Sequence, residues 1–223
     1  AGGKGMNLAR LTRAGFAVPP GFIISTDAYR EFVNVNRWLP TVLAGVAGIS
    51  AEDAGALERV SAQIRAGFSA GKIPEELETA IRSAYAELGD IPVAVRSSAT
   101  AEDLPDLSFA GQQDTYLNII GTEQLLAAVI HCWASLWTAR AIGYRIRNGI
   151  SHQEAALAVI VQEMVQSDAS GVLFTANPLT GLRSEAVIDA TLGLVTLEQN
   201  NVIKIFSVMS VQNIMTLETS SPA

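Results

Sequence analysis

The sequence predicts a mixed α/β fold in which short apolar strands alternate with amphipathic helices. Two patterns carry that reading. Apolar stretches at Val93–Val95, Leu157–Val165, Gly171–Thr175 and Glu185–Ala190 are short and read as strands. Around them, apolar residues recur at helical spacing: Leu57, Val60, Ile64, Phe68; then Leu77, Ile81, Tyr85, Leu88; then Leu126, Val129, Trp133, Leu136, Trp137, Tyr144. At 223 residues, 49% of them apolar and 17% charged, the chain can build one large domain or two small ones around a real core. A formal charge of −7 argues against nucleic acid as a partner and makes any local cation informative. The single cysteine, Cys132, excludes an internal disulfide and any metal-type cysteine spacing, which suits a cytoplasmic setting. No unbroken apolar run reaches the roughly 18 residues of a bilayer-spanning helix, and no signal-peptide pattern is present, so no membrane is expected.

The chain opens AGGKGMNLARLTRAG. Gly2, Gly3 and Gly5 surround Lys4, and a short helical pattern through Leu8 and Leu11 stops at Gly15. A glycine-rich turn entering a helix offers free N–H groups and the positive end of the helix dipole to an anion. It lacks the spacing of a P-loop, and an ordinary N-terminus explains it too. Pro19-Pro20-Gly21 reads as a turn feeding a strand, Phe22–Ser25, and Thr26 or Asp27 as the cap of a helix holding Tyr29, Phe32 and Val33. One helix follows Ser50. The next begins at Pro74, with Glu75 and Glu76 near its positive end, and stops at Gly89.

Val93–Thr115 is the stretch around which the rest is organised. Its apolar start ends at Arg96, placed at the strand's tip, and a long run of small and polar residues follows. Loops of this length inside a domain are uncommon and usually functional or disordered. Ser97, Ser98, Thr100, Ser108 and Thr115 supply hydroxyl donors, Gly111 permits close backbone approach, and Arg96 offers a planar donor fork suited to phosphate. Asp103 and Asp106 argue the other way, and an oxyanion-binding loop and a surface excursion rich in turn formers both remain open.

Beyond it, QDTYLNII reads as a strand, and Gly121-Thr122 starts the longest helix. Arg140, Arg145 and Arg147 read as cations complementing that helix's C-terminal dipole, with a phosphate site as the alternative. His131 and Cys132 point in different directions on a helix and form no metal pair. Gln162 ends an apolar strand, where its amide either satisfies the sheet or contacts a base. Asn177–Gly181 is a turn between the last two strands.

The blocks GGKGMNL, VPPGF, VAVRSSATAEDLPDLSFAGQQDTYLN, CWASLWTARAIGYR, VIVQEMV and GVLFTANPLTG occur in this order. Together they resemble the pyruvate phosphate dikinase ATP-binding domain, and among its members phosphoenolpyruvate synthases and rifampicin phosphotransferases. The resemblance runs from residue 1 to about Gly193. It implies an ATP-grasp-like N-terminal portion, with a mixed sheet, flanking helices and an incomplete second ATP-grasp subdomain. It further implies ATP as ligand, with Lys4 and Arg96 on the phosphates, Gly111 and Thr115 lining the site, Gln162 beside the adenine, and the backbone of Glu163–Val165 nearby. The implied chemistry is indirect. ATP gives its β,γ-diphosphate to a histidine on a separate domain, the γ-phosphate leaves, and the remaining phosphate passes to pyruvate or to an antibiotic hydroxyl.

After Leu194 the resemblance stops, and the tail VTLEQNNVIKIFSVMSVQNIMTLETSSPA carries no motif of that family. The magnesium expected in a full-length enzyme finds no ligand strand here, so no metal ligand and no catalytic residue is assigned within the chain. The phosphohistidine and acceptor domains, normally on the same chain, are not found either, since His131 and His152 stand in other contexts. The expectation is a truncated relative, with residues 1–193 as the ATP-binding portion and 194–223 as a divergent tail. The alternative is an inactive remnant that binds nucleotide weakly or serves protein interaction.

Overall fold

The computed structural model describes residues 3–46, 48–99 and 115–193, which divide into two units, Ala1–Met164 and Val165–Ala223. Gly111, most of the central stretch and the tail from 194 therefore lie outside the described residues.

In the first unit the order is α1 (Gly3–Arg13), β1 (Gly21–Ile24), α2 (Thr26–Asn36), α3 (Leu39–Val46), α4 (Ala54–Ala70), α5 (Glu75–Leu88), β2 (Val93–Ala99), β3 (Thr115–Ile119), α6 (Thr122–Ser135), α7 (Ala139–Arg147) and β4 (Leu157–Glu163). Local chemistry sets the helix ends. Ser25, rather than Thr26 or Asp27, caps α2 by accepting the Ala28 N–H at 3.4 Å. Asp53 caps α4 through the Ala56 N–H at 2.9 Å. Three glutamates occupy the first turn of α5, where the dipole favours them, and Gly89 ends it in the left-handed region at φ 99°. The apolar segment of α3 has no polar face to betray its period, and the sequence reading passed over it.

The predicted longest helix is two helices. The break lies at Leu136–Trp137, after which Thr138 caps α7 through the Ala141 N–H at 3.2 Å. Taken across that break, Thr122–Arg147 has the length and composition of a bilayer span, although polar residues interrupt its apolar run. Yet 67% of its most apolar window is buried within the protein, as in a core helix.

The four strands form one antiparallel sheet in the order β1-β4-β2-β3. β2 and β4 pair over seven residues, from Val93 opposite Glu163 to Ala99 opposite Leu157. Side chains alternate faces along a strand, so the register divides the sheet cleanly. Phe22, Ile24, Val93, Val95, Val159 and Val161 face the core, where α2 and α6 pack. There Phe32 stacks on Phe68 at 5.5 Å between centroids and meets Trp133 at 5.0 Å. The opposite face carries Gly21, Ile23, Ala94, Arg96, Ser98, Ala158, Ile160, Gln162 and Thr115.

In the second unit, β5 (Ala169–Phe174) and β6 (Val187–Leu192) form an antiparallel hairpin. Asn177 shapes its turn as predicted, its Oδ1 accepting the Leu179 and Thr180 N–H groups at 2.9 and 3.3 Å.

Candidate functional site

Three of the predicted site residues share the sheet face opposite the core. Arg96 sits directly between Ile160 of β4 and Thr115 of β3, so Ile23, Ile160, Arg96 and Thr115 form one row across the four strands. Gly21, Gln162 and Ala94 form the row beside it. Neither proximity could be counted from the sequence, since Arg96 and Gln162 stand 66 positions apart; the pairing register creates it.

Arg96 is not at the strand's tip. β2 continues through Ser97, Ser98 and Ala99, held by β4 as far as Leu157. The sequence ended the strand early because serine carries no strand signal of its own; the neighbouring strand supplies it. Burial pulls the Arg96 guanidinium below its ordinary pKa, since a low-dielectric setting disfavours the charged form. The same setting strengthens its attraction for an anion.

Lys4 lies in the first turn of α1, and α1 rests against β2, the strand of Arg96. Gly3 and Gly5 flank Lys4, Gly5 being buried, and the first N–H groups of a helix have no partner within it. Thr115 is exposed at the start of β3. Gly111 lies outside the described residues.

Gln162 has a structural role in the sheet. It is 94% buried, and its Nε2 donates to the Pro19 carbonyl at 3.0 Å, pinning the Pro19-Pro20-Gly21 turn to β4. Gly21 is required opposite it, because a Cβ there would run into the Val161 carbonyl oxygen. The backbone nearby is also committed: Glu163 N–H donates to Pro20 and Met164 N–H to Pro92, each at 2.9 Å. Those two donors are therefore occupied within the fold. The Gln162 Oε1 is the amide atom not engaged by Pro19.

Arg145 overturns its sequence reading. It is 1% exposed, stacked over Trp137 at 4.8 Å, with Nη1 donating to the Leu136 carbonyl at 2.8 Å and Nε to His152 Nδ1 at 2.9 Å. It is a buried tie holding the end of α6, α7 and the approach to β4 together, not a helix-end cation in solvent. Burial draws its pKa down to about 10. His152 is drawn down to about 4 by burial and then by the Arg145 charge. Trp137 Nε1 donates to the Tyr29 hydroxyl at 2.9 Å, and burial raises the pKa of that hydroxyl. No signal within the sequence pairs Arg145 with His152, because their contact is made only when the loop folds back.

Cys132 is buried, as expected of a core residue. Among the described residues no group of three or more His, Cys, Asp or Glu side chains is arranged to hold a metal.

A family model described as "Pyruvate phosphate dikinase, AMP/ATP-binding domain" matches residues 1–197. A probable phosphoenolpyruvate synthase of Methanothermobacter thermautotrophicus is 46% identical over 200 residues, covering 87% of this chain and 29% of that protein. A rifampicin phosphotransferase of Streptomyces sviceus is 48% identical over 195 residues, covering 86% and 22%. A probable phosphoenolpyruvate synthase of Methanocaldococcus jannaschii is 44% identical over 200 residues, covering 87% and 17%. The chain thus spans less than a third of the length of each of these relatives.

Proposed function

The chain belongs to the pyruvate phosphate dikinase AMP/ATP-binding domain family, and from that premise we propose that it is the nucleotide-holding part of an ATP-dependent phosphotransferase. The observation that carries the reading is the shared sheet face: a half-buried cation, an exposed hydroxyl and a buried amide, with a lysine-bearing helix start against the same strand. Cations and helix N–H groups suit a triphosphate, and the apolar residues of β1 and β4 beside an amide suit a purine.

In this account Arg96 and Lys4 neutralise the phosphates, Thr115 donates to a phosphate oxygen, and Gln162 lies beside the base. Positioning and charge neutralisation carry most of phosphoryl transfer, so a domain that only holds ATP supplies much of the catalysis. The phosphate then passes through a histidine on another domain to pyruvate or to an antibiotic hydroxyl, in keeping with what the relatives are named for. Magnesium would accompany the phosphates and share in neutralising them. A cytoplasmic location completes the proposal.

Calorimetric titration of ATP with magnesium into the wild-type chain, Lys4→Ala and Arg96→Ala tests it. Loss of Arg96 should weaken binding about tenfold or more, since a charged hydrogen bond contributes about 1.5–3 kcal/mol. Affinity indifferent to both substitutions would sink the assignment and favour a remnant with another role.

A further inference from the structure

Ser98 stands two residues beyond Arg96 on the same sheet face, paired with Ala158. Its side chain is fully buried, and its hydroxyl meets no hydrogen-bond partner among the described residues. Ser97 matches it in burial and in lacking a partner there, but points to the core face beside Val93 and Val95. A buried hydroxyl without a partner destabilises a fold, and alanine at the same place removes that cost. Ser97 shares its face with the apolar Val93, Val95 and Val159. Ser98 instead shares its face with the guanidinium of Arg96, which has Thr115 across from it, and α1, whose first turn carries Lys4, rests against the same strand. The two cations suit an anion, and an oxygen drawn in beside Arg96 would supply the acceptor that the Ser98 hydroxyl lacks among the described residues.

We infer that the Ser98 hydroxyl is a further phosphate ligand of the nucleotide site, donating to a non-bridging oxygen of the tail that Arg96 draws in. The inference rests on the proposed nucleotide-binding role. It also explains why a polar group is kept where it costs stability: the water-free setting that penalises the empty hydroxyl strengthens its bond to an ionised oxygen.

The test uses the 223-residue chain with two probes, ATP with magnesium and inorganic tripolyphosphate, and three variants, Ser98→Ala, Ser97→Ala and Arg96→Ala. Ser98→Ala should weaken both probes about tenfold while leaving the ligand-free melting temperature unchanged or higher. Ser97→Ala should match it in stability and leave both affinities unaltered. Ser98→Cys, similar in size but a weaker donor, should fall between wild type and Ser98→Ala. If Arg96→Ala weakens binding while Ser98→Ala does not, the Ser98 role is overturned and the nucleotide site stands. If both serine variants weaken binding equally, the effect is packing and the inference fails. If Arg96→Ala also binds as wild type, the nucleotide reading itself is lost.

Discussion

Acidification should unfold this protein partly through one histidine. His152 accepts a hydrogen bond from Arg145 Nε at 2.9 Å, so its Nδ1 must be unprotonated. Protonation would remove that acceptor and set two cations against each other. Accordingly its pKa falls from 6.5 to about 4 in the fold. A depressed folded pKa contributes stability that is fully present above the unfolded value and is lost as pH falls from 6.5 towards 4. The unscreened shift corresponds to about 3 kcal/mol. His152 is only half-buried, and solvent screening reduces this to roughly 1–2 kcal/mol. The variant His152→Asn isolates the effect, because the amide oxygen still accepts from Arg145 and does not titrate. Urea unfolding at steps between about pH 7 and pH 4 should show wild type losing roughly 1–2 kcal/mol more than the variant. Carboxylates titrate in both and cancel in the difference. Parallel stability curves would refute the reasoning.

Other outcomes follow from the same contacts. Phe32→Ala removes a fully buried ring that stacks on Phe68 and meets Trp133 at a tilt and should cost about 3–5 kcal/mol by urea unfolding. Gly21→Ala forces the β1 backbone away from Val161 and should cost about 1–3 kcal/mol, read as a lowered melting temperature. Gln162→Met keeps the volume but strands the Pro19 carbonyl, and should cost about 1–3 kcal/mol even without nucleotide.

Legibility divided along physical lines. Helices α4 and α5 were readable because Leu57, Val60, Ile64 and Phe68, and Ile81 and Tyr85, bury one face at regular spacing, and α5 carries end signals in Pro74 and Gly89; the Asp53 cap of α4 was not read. Strand β4 was readable because both its faces are buried. The break between α6 and α7 was hidden because its apolar stripe continues through Leu136 and Trp137. The end of β2 was misplaced because Ser97 and Ser98 owe their strand conformation to pairing with Val159 and Ala158. At the site, the residue types came from local motifs and family resemblance, whereas the common face of Arg96, Thr115 and Gln162 is a product of register. The committed N–H groups of Glu163 and Met164 could not be read at all, because their acceptors, Pro20 and Pro92, come from distant turns.

A crystal structure of the chain with a non-hydrolysable ATP analogue would bear most directly on where the nucleotide sits. The phosphate tail should lie within hydrogen-bond reach of the Arg96 guanidinium, on the sheet side that also bears Thr115 and Gln162. Density for the analogue on the helix-covered side, or away from the sheet altogether, would contradict the account.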